Sequence, residues 1–264
     1  MKCILEKLIP IIREAGQIIL SAHNVEDGTD ISVKDGDANF VTVFDVKVQN
    51  FIMGRIKDII PEAVFIAEEK ENDPKVLDNE FCFIIDPIDG TTNFIHEYMQ
   101  SSISLAMFSY GKAVIGIVYN PYLDEIFSAS LGDGAFLNGK PIHVSERTMS
   151  MSVVGFGTSP YYKDKLGKKT FGCCLEMFKR CGDLRRTGSA ALDLAHIAAG
   201  RTDGFFEFIL SPWDIAAGYL LVLEAGGKIS NMRGEAIDFS AQSSVIATNN
   251  KIYDEFLSVT KMFI

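Results

Sequence analysis

Residues 83–94 read FIIDPIDGTTNF. Three apolar residues, Phe83, Ile84 and Ile85, run straight into Asp86, and Asp89 follows across Pro87 and Ile88. The apolar run predicts a buried strand. Two carboxylates at its end repel each other at close range, so the pair calls for a cation. Hard divalent ions such as Mg²⁺ take oxygen ligands, use few protein carboxylates and complete their shell with water and phosphate. The Ile88 carbonyl is a further oxygen, and two ions about 3.5–4 Å apart could share Asp86 and clamp a phosphoryl group. Gly90 admits backbone angles that aim consecutive N–H groups at one spot, a nest for phosphate oxygens. The Thr91 hydroxyl can position a water. The alternative is a plain turn, which has no need of an apolar strand to deliver two acids.

Working outward, the strand is expected over 81–85, preceded by a short strand VFIA (64–67) that runs into Glu68 and Glu69. Apolar positions at helical spacing predict helices over 4–22 and 46–60, the second opened by Asp45 as N-cap and stopped by Pro61. SISLAMFSY, AVIGIVYN and EIFSAS, separated by Gly111-Lys112 and by Asn120–Asp124, read as an antiparallel meander. From residue 151 the order changes to strand and helix in alternation. SVVGFG is strand-like, 164–180 helical, and Ser189 opens a small-residue helix that stops at Gly200. DGFFEF (203–208) is a strand, Pro212-Trp213-Asp214 opens a helix ending at Gly226-Gly227, SSVIAT is a last strand and 250–262 a last helix. The fold class is therefore α/β. One domain is expected over 1–264, with an α+β half over about 1–145 and an α/β half over about 146–264.

The net charge of −10 disfavours nucleic acid and anionic membranes as partners, since each needs a basic surface. No run approaches a membrane span of about 20 apolar residues. The opening MKCILEKLIPIIREAGQIIL is broken by Glu6, Arg13 and Glu14, a pattern for an amphipathic helix and not for a secretory leader. Five cysteines, Cys3, Cys82, Cys173, Cys174 and Cys181, show no C-x-x-C spacing, which argues against a disulfide framework or thiolate zinc and fits a reducing cytoplasm. His23, His96, His143 and His196 form no local cluster and read as structural.

Acids thus stand out at four places: Glu68-Glu69, Asp86, Asp89 and Asp214. Glu68–Glu71 also reads as a solvated charge run, and Asp214 as a helix-capping acid. Two related motifs are excluded. The haloacid-dehalogenase pattern needs Asp-x-Asp, and an EF-hand needs Asp-x-Asp-x-Asp-Gly with a Glu at its twelfth position; the spacing here is Asp-x-x-Asp.

DPIDGTTN (86–93) and WDIAAG (213–218) resemble the two signature motifs of the inositol monophosphatase family, the lithium-sensitive sugar phosphatases. VTVFD (41–45) resembles its upstream Val-Thr-x-x-Asp motif, and FIAEE (65–69) its Gly-Glu-Glu segment with Ala67 in place of glycine. GSAA (188–191) and EAGG (224–227) also fit, and the motifs keep family order along nearly the whole chain. The resemblance implies a layered α-β-α-β-α sandwich, a cytoplasmic homodimer and hydrolysis of a small-molecule phosphate monoester with two or three Mg²⁺ ions. By position it implies that Glu68, Asp86 and the Ile88 carbonyl hold one ion. Asp86, Asp89 and Asp214 would hold a second, and Glu68 would help with a third. Glu69 would stand behind the ligands. Gly90 and Thr91 would meet phosphate, with Thr91 paired to Asp45 near the attacking water. Gly188, Ser189, Ala190 and Glu207 would face the sugar, and Lys34 would lie on a loop at the metal site. Inositol monophosphate is the default substrate. Fructose 1,6-bisphosphate, 3′-phosphoadenosine 5′-phosphate and other sugar phosphates are alternatives, and a metal-stabilised binding protein without activity is the reading of another class.

Overall fold

The computed structural model describes residues 1–22, 31–33 and 40–264. The N-terminal apolar spacing forms α1 (Lys2–Leu20), which buries Leu5, Leu8, Ile12, Ala15 and Ile19. A short antiparallel hairpin, β1 (Ile31–Val33) and β2 (Phe40–Thr42), leads into α2 (Val43–Ile59). This helix starts three residues earlier than its apolar spacing suggested. Its N-cap is Thr42 and not Asp45; Asp45 is the N3 residue of a capping box, accepting from the Thr42 N–H at 2.7 Å.

Then come β3 (Val64–Ala67), β4 (Cys82–Asp89), the one-turn α3 (Thr91–Ile95), β5 (Ser102–Ser109), β6 (Lys112–Asn120), β7 (Glu125–Ser130), β8 (Gly134–Leu137) and β9 (Lys140–Ile142). They form a seven-stranded sheet in sequence order, with β3 parallel to β4 and every other pair antiparallel. The expected meander is its centre. The second half supplies β10 (Val153–Phe156), α4 (Lys163–Phe178), β11 (Asp183–Arg185), α5 (Ala190–Ala198), β12 (Gly204–Leu210), α6 (Pro212–Glu224), β13 (Lys228–Ser230), β14 (Ser243–Thr248) and α7 (Tyr253–Thr260). Its sheet has the order β11-β10-β12-β14-β13 and mixed direction. The three-residue strands β11 and β13 carry too short a pattern for sequence to show.

The core lies in layers. Helices α1 and α2 cover one face of the large sheet. Helices α5 and α6 fill the space between the two sheets, with Ala191, Leu192, Ala216 and Leu220 against the large sheet and Leu194, Ile215 and Val222 against the small one. Helices α4 and α7 cover the far face of the small sheet around Phe206 and Phe256. The result is the α-β-α-β-α sandwich.

Candidate active site

Strand β4 does not stop at Ile85. Its ladder with β5 runs to Asp89, but Asp86 faces Ser104 and Asp89 faces Ser102, so three steps on β4 match two on β5. This is a one-residue β-bulge. Pro87 lies inside it, where a residue without an N–H takes nothing from the ladder. The bulge changes which way side chains point. Phe83 and Ile85 enter the core beneath α1 and α2, while Cys82 and Ile84 enter the middle core. Ile88 again enters the first core, three residues after Ile85. Asp86 and Asp89 are displaced in the same way, so both reach the side facing α5 and α6.

Those helices bring the rest. Ser211 is the N-cap of α6, Pro212 its first residue and Asp214 its N3 residue, whose Oδ2 accepts from the Ser211 N–H at 2.7 Å. The Ser104 hydroxyl donates to the Trp213 carbonyl and ties this turn to β5. Asp86, Asp89 and Asp214 each present an oxygen within 4.8 Å of the others. Ser189, the N-cap of α5, donates its hydroxyl to Asp89 Oδ2 at 2.5 Å, and the Ala191 N–H donates to the same oxygen at 2.7 Å. Glu68 follows β3 and lines the same cleft of about 750 Å³. Asn72 closes the intervening loop on both the N–H and carbonyl of Ala67, which sits buried as an ordinary strand residue. The alanine in place of glycine therefore strains nothing.

The acids are held at a cost. Asp86 is pushed well above the usual carboxylate range, by burial first and then by Glu68, Asp89, Asp214 and Asp45. Burial, then Asp89 and Glu68, do the same to Asp214, against the Ser211 bond. Asp89 rises to about 6 through burial, restrained by Ser189, Ala191 and Ala190. Oxygen donors alone, crowded and desolvated, fit a hard divalent cation such as Mg²⁺.

Gly90 caps α3 with φ +91° and Gly188 precedes Ser189 with φ +93°, so both turns use conformations open to glycine. The Asn93 amide donates to the Gln100 and Thr187 carbonyls and joins the two turns. Thr91 Oγ1 lies 3.2 Å from the Ile88 carbonyl and 3.5 Å from Asp45 Oδ1. Asp45 is fully buried and absent from the cleft lining, so it stands behind Thr91.

Gly188, Ser189, Ala190 and Glu207 all line the cleft. Glu207 is not at an open mouth. It is buried in the wall, where its Oε1 accepts from the Ser159 N–H at 2.7 Å and the Ser159 hydroxyl at 3.1 Å. Burial raises its pKa to about 7, against the Ser159 bonds. Glu69 lies outside the lining; its N–H donates to the Gln49 side chain on α2. Lys34 and His23 lie outside the described residues. The other histidines are not on the cleft lining, and all five cysteines are free.

Among the lining residues that escaped the sequence reading are Ser159, Tyr161, Arg186 and Asp193. Asp193 had a visible signal, as an acid among the small apolar residues of AALDLAHIAA. It is buried on α5, accepts from the Thr187 hydroxyl at 2.8 Å, and burial pushes its pKa well up. The other three sit on connections that carry no periodic pattern.

A model described as the inositol monophosphatase family matches residues 1–261. The Nus factor SuhB of Escherichia coli is 36% identical over 247 residues, covering 93% of this chain and 91% of that protein. An inositol-1-monophosphatase of Mesorhizobium japonicum is 35% identical over 263 residues, covering 98% and 96%. The crystal structure of the extragenic suppressor protein suhB from Bartonella henselae superposes with a TM-score of 0.90 at 33% identity, covering 99% of this chain and all of that one. With its motifs, its layered fold and these relatives in agreement, the chain belongs to the inositol monophosphatase family of phosphatases.

Proposed function

We propose that this phosphatase hydrolyses inositol monophosphate to inositol and phosphate, using Mg²⁺ held by Glu68, Asp86, Asp89, Asp214 and the Ile88 carbonyl. The observation that carries the reading is the bulge in β4, which turns Asp86 and Asp89 to one side beside Asp214. On this reading Asp86 would serve two ions, one with Glu68 and the Ile88 carbonyl and one with Asp89 and Asp214, and Glu68 would help hold a third. The family generally uses Mg²⁺, which when bound supplies the positive charge that polarises the phosphoryl group and acidifies the attacking water.

The chain's own groups do the rest. The Asp45 carboxylate, fixed by Thr42, orients the Thr91 hydroxyl, and that hydroxyl holds the water in line with phosphorus. The Gly90–Thr91 turn offers N–H groups to phosphate oxygens. Gly188, Ser189 and Ala190 bound the sugar pocket, and Glu207, in its wall, accepts hydrogen bonds from the sugar hydroxyls. Phosphate release from a panel of sugar and nucleotide phosphates, with Mg²⁺ and with excess chelator, tests the reading. Inositol monophosphate should give the highest kcat/KM, and preference for a bisphosphate would replace it as substrate.

A further inference from the structure

The segment between β10 and α4 is pinned at two points. Ser159, at φ +42° and ψ +63°, is bound through its N–H and hydroxyl to Glu207. Three residues on, the Tyr162 hydroxyl donates to the Gln242 side chain at 3.1 Å, and Gln242 donates in turn to Ser211 Oγ, the cap of the helix that carries Asp214. A non-glycine residue in the left-handed region is uncommon and persists where its surroundings fix it. Tyr161 sits between the two pins. Its side chain lines the cleft and is about half exposed at 54%. Its hydroxyl has no hydrogen-bond partner among the described residues.

Burial first, and then the charges of Glu68, Asp214, Asp86 and Asp89, push the pKa of that phenol upward. The phenol O–H is a donor carried into the wall of the cleft that holds Glu68, Asp86 and Asp89 from the first half of the chain and Asp214 from α6. With those four carboxylates committed to a cation, the phosphate of the ester is an anion that such a donor would meet.

We propose that Tyr161 contacts the substrate: its O–H donates to a phosphate oxygen of the bound monoester, in the cleft that the Gly90–Thr91 turn also lines. Resting on the reading above, this adds a contact from a segment outside the signature motifs.

The test compares the wild-type protein with Tyr161→Phe, which keeps the ring and removes the donor. The probe is inorganic phosphate, titrated calorimetrically in saturating Mg²⁺, alongside kcat/KM for inositol monophosphate. Tyr161→Phe should weaken phosphate binding and lower kcat/KM by about tenfold each, the size of one hydrogen bond to a charged group. Mg²⁺ affinity and Tm should stay at the wild-type values. Equal phosphate affinity in the two proteins overturns the proposal. So does a loss of Mg²⁺ affinity with phosphate affinity intact, which would put the phenol on the ions. If the wild-type protein turns over no phosphate ester, the proposed function fails, and the phosphate titration still decides Tyr161. Failure of the wild-type protein to bind phosphate overturns both.

Discussion

Asp86 and Asp89 lie three residues apart on one strand yet reach the same side of the sheet, because the ladder to β5 gains one residue between them. In a regular strand an odd offset puts two side chains on opposite faces. Without the bulge, one of these acids would point into the apolar core beneath α1 and α2, where Ile85 and Ile88 now sit. The local irregularity is what gathers the acids of the candidate metal site.

Removing the central charge should therefore stabilise the metal-free protein. Asp86 takes the repulsion of every other acid in the cluster. Asp86→Asn should raise the stability of the metal-free fold by on the order of 1–3 kcal/mol while abolishing hydrolysis and weakening Mg²⁺ binding. Denaturant unfolding with and without chelator checks it. A less stable metal-free variant would show that the acids are not in conflict.

The pH dependence follows with a definite sign. Asp86 and Asp214 titrate well above their ordinary values and Asp89 at about 6. A carboxyl raised in the folded state contributes stability that is full below its unfolded value, near 4, and lost as pH rises through its folded value. Without metal, Tm should fall as pH rises from about 4 to about 7. Saturating Mg²⁺, which binds the deprotonated acids, should flatten or reverse that fall. A metal-free Tm that climbs across this window would contradict it.

Thr91 and Asp45 are expected to act as a unit on the attacking water. Thr91→Ala and Asp45→Asn should each lower kcat by about 10²-fold or more, and the double variant should lose less than the product of the two. Asp45→Asn also weakens the α2 capping box, at a cost of about 1 kcal/mol in stability. Strictly multiplicative losses in kcat would mean that the two residues work separately.

Gly157 guards the position of Glu207. A Cβ at Gly157 would lie 1.8 Å from Glu207 Oε2, so the carboxyl must move if any side chain is added. Gly157→Ala should cost about 1–3 kcal/mol of stability and mimic Glu207→Gln in specificity. Both should lose more kcat/KM on inositol monophosphate than on para-nitrophenyl phosphate, with the Mg²⁺ requirement unchanged. Equal losses on the two substrates would remove Glu207 from the sugar pocket.

Much of this was legible in the sequence because it is periodic or locally spaced. The apolar spacing in 4–22 and the β runs of the meander gave the helix α1 and the large sheet, and the Asp-x-x-Asp-Gly-Thr spacing gave the centre of the cleft. The bulge was not legible, since a strand that swallows a proline looks like a strand that ends. The exchange of Asp45 for Thr42 as cap of α2 has a similar cause: both residues suit a helix start, and only the backbone decides between them. Glu207 was expected to face the sugar, but its burial in the wall was not legible, because it depends on Ser159, 48 residues away. Tyr161 owes its place to pins at Glu207 and Gln242 that no local pattern announces.

The measurement closest to the centre of this account is phosphate release from inositol monophosphate by protein stripped of metal and then titrated with Mg²⁺. The account predicts no turnover in excess chelator, recovery on adding Mg²⁺, and no recovery in Asp86→Asn at any Mg²⁺ concentration. Full turnover in excess chelator, or normal Mg²⁺-dependent turnover by Asp86→Asn, would contradict it.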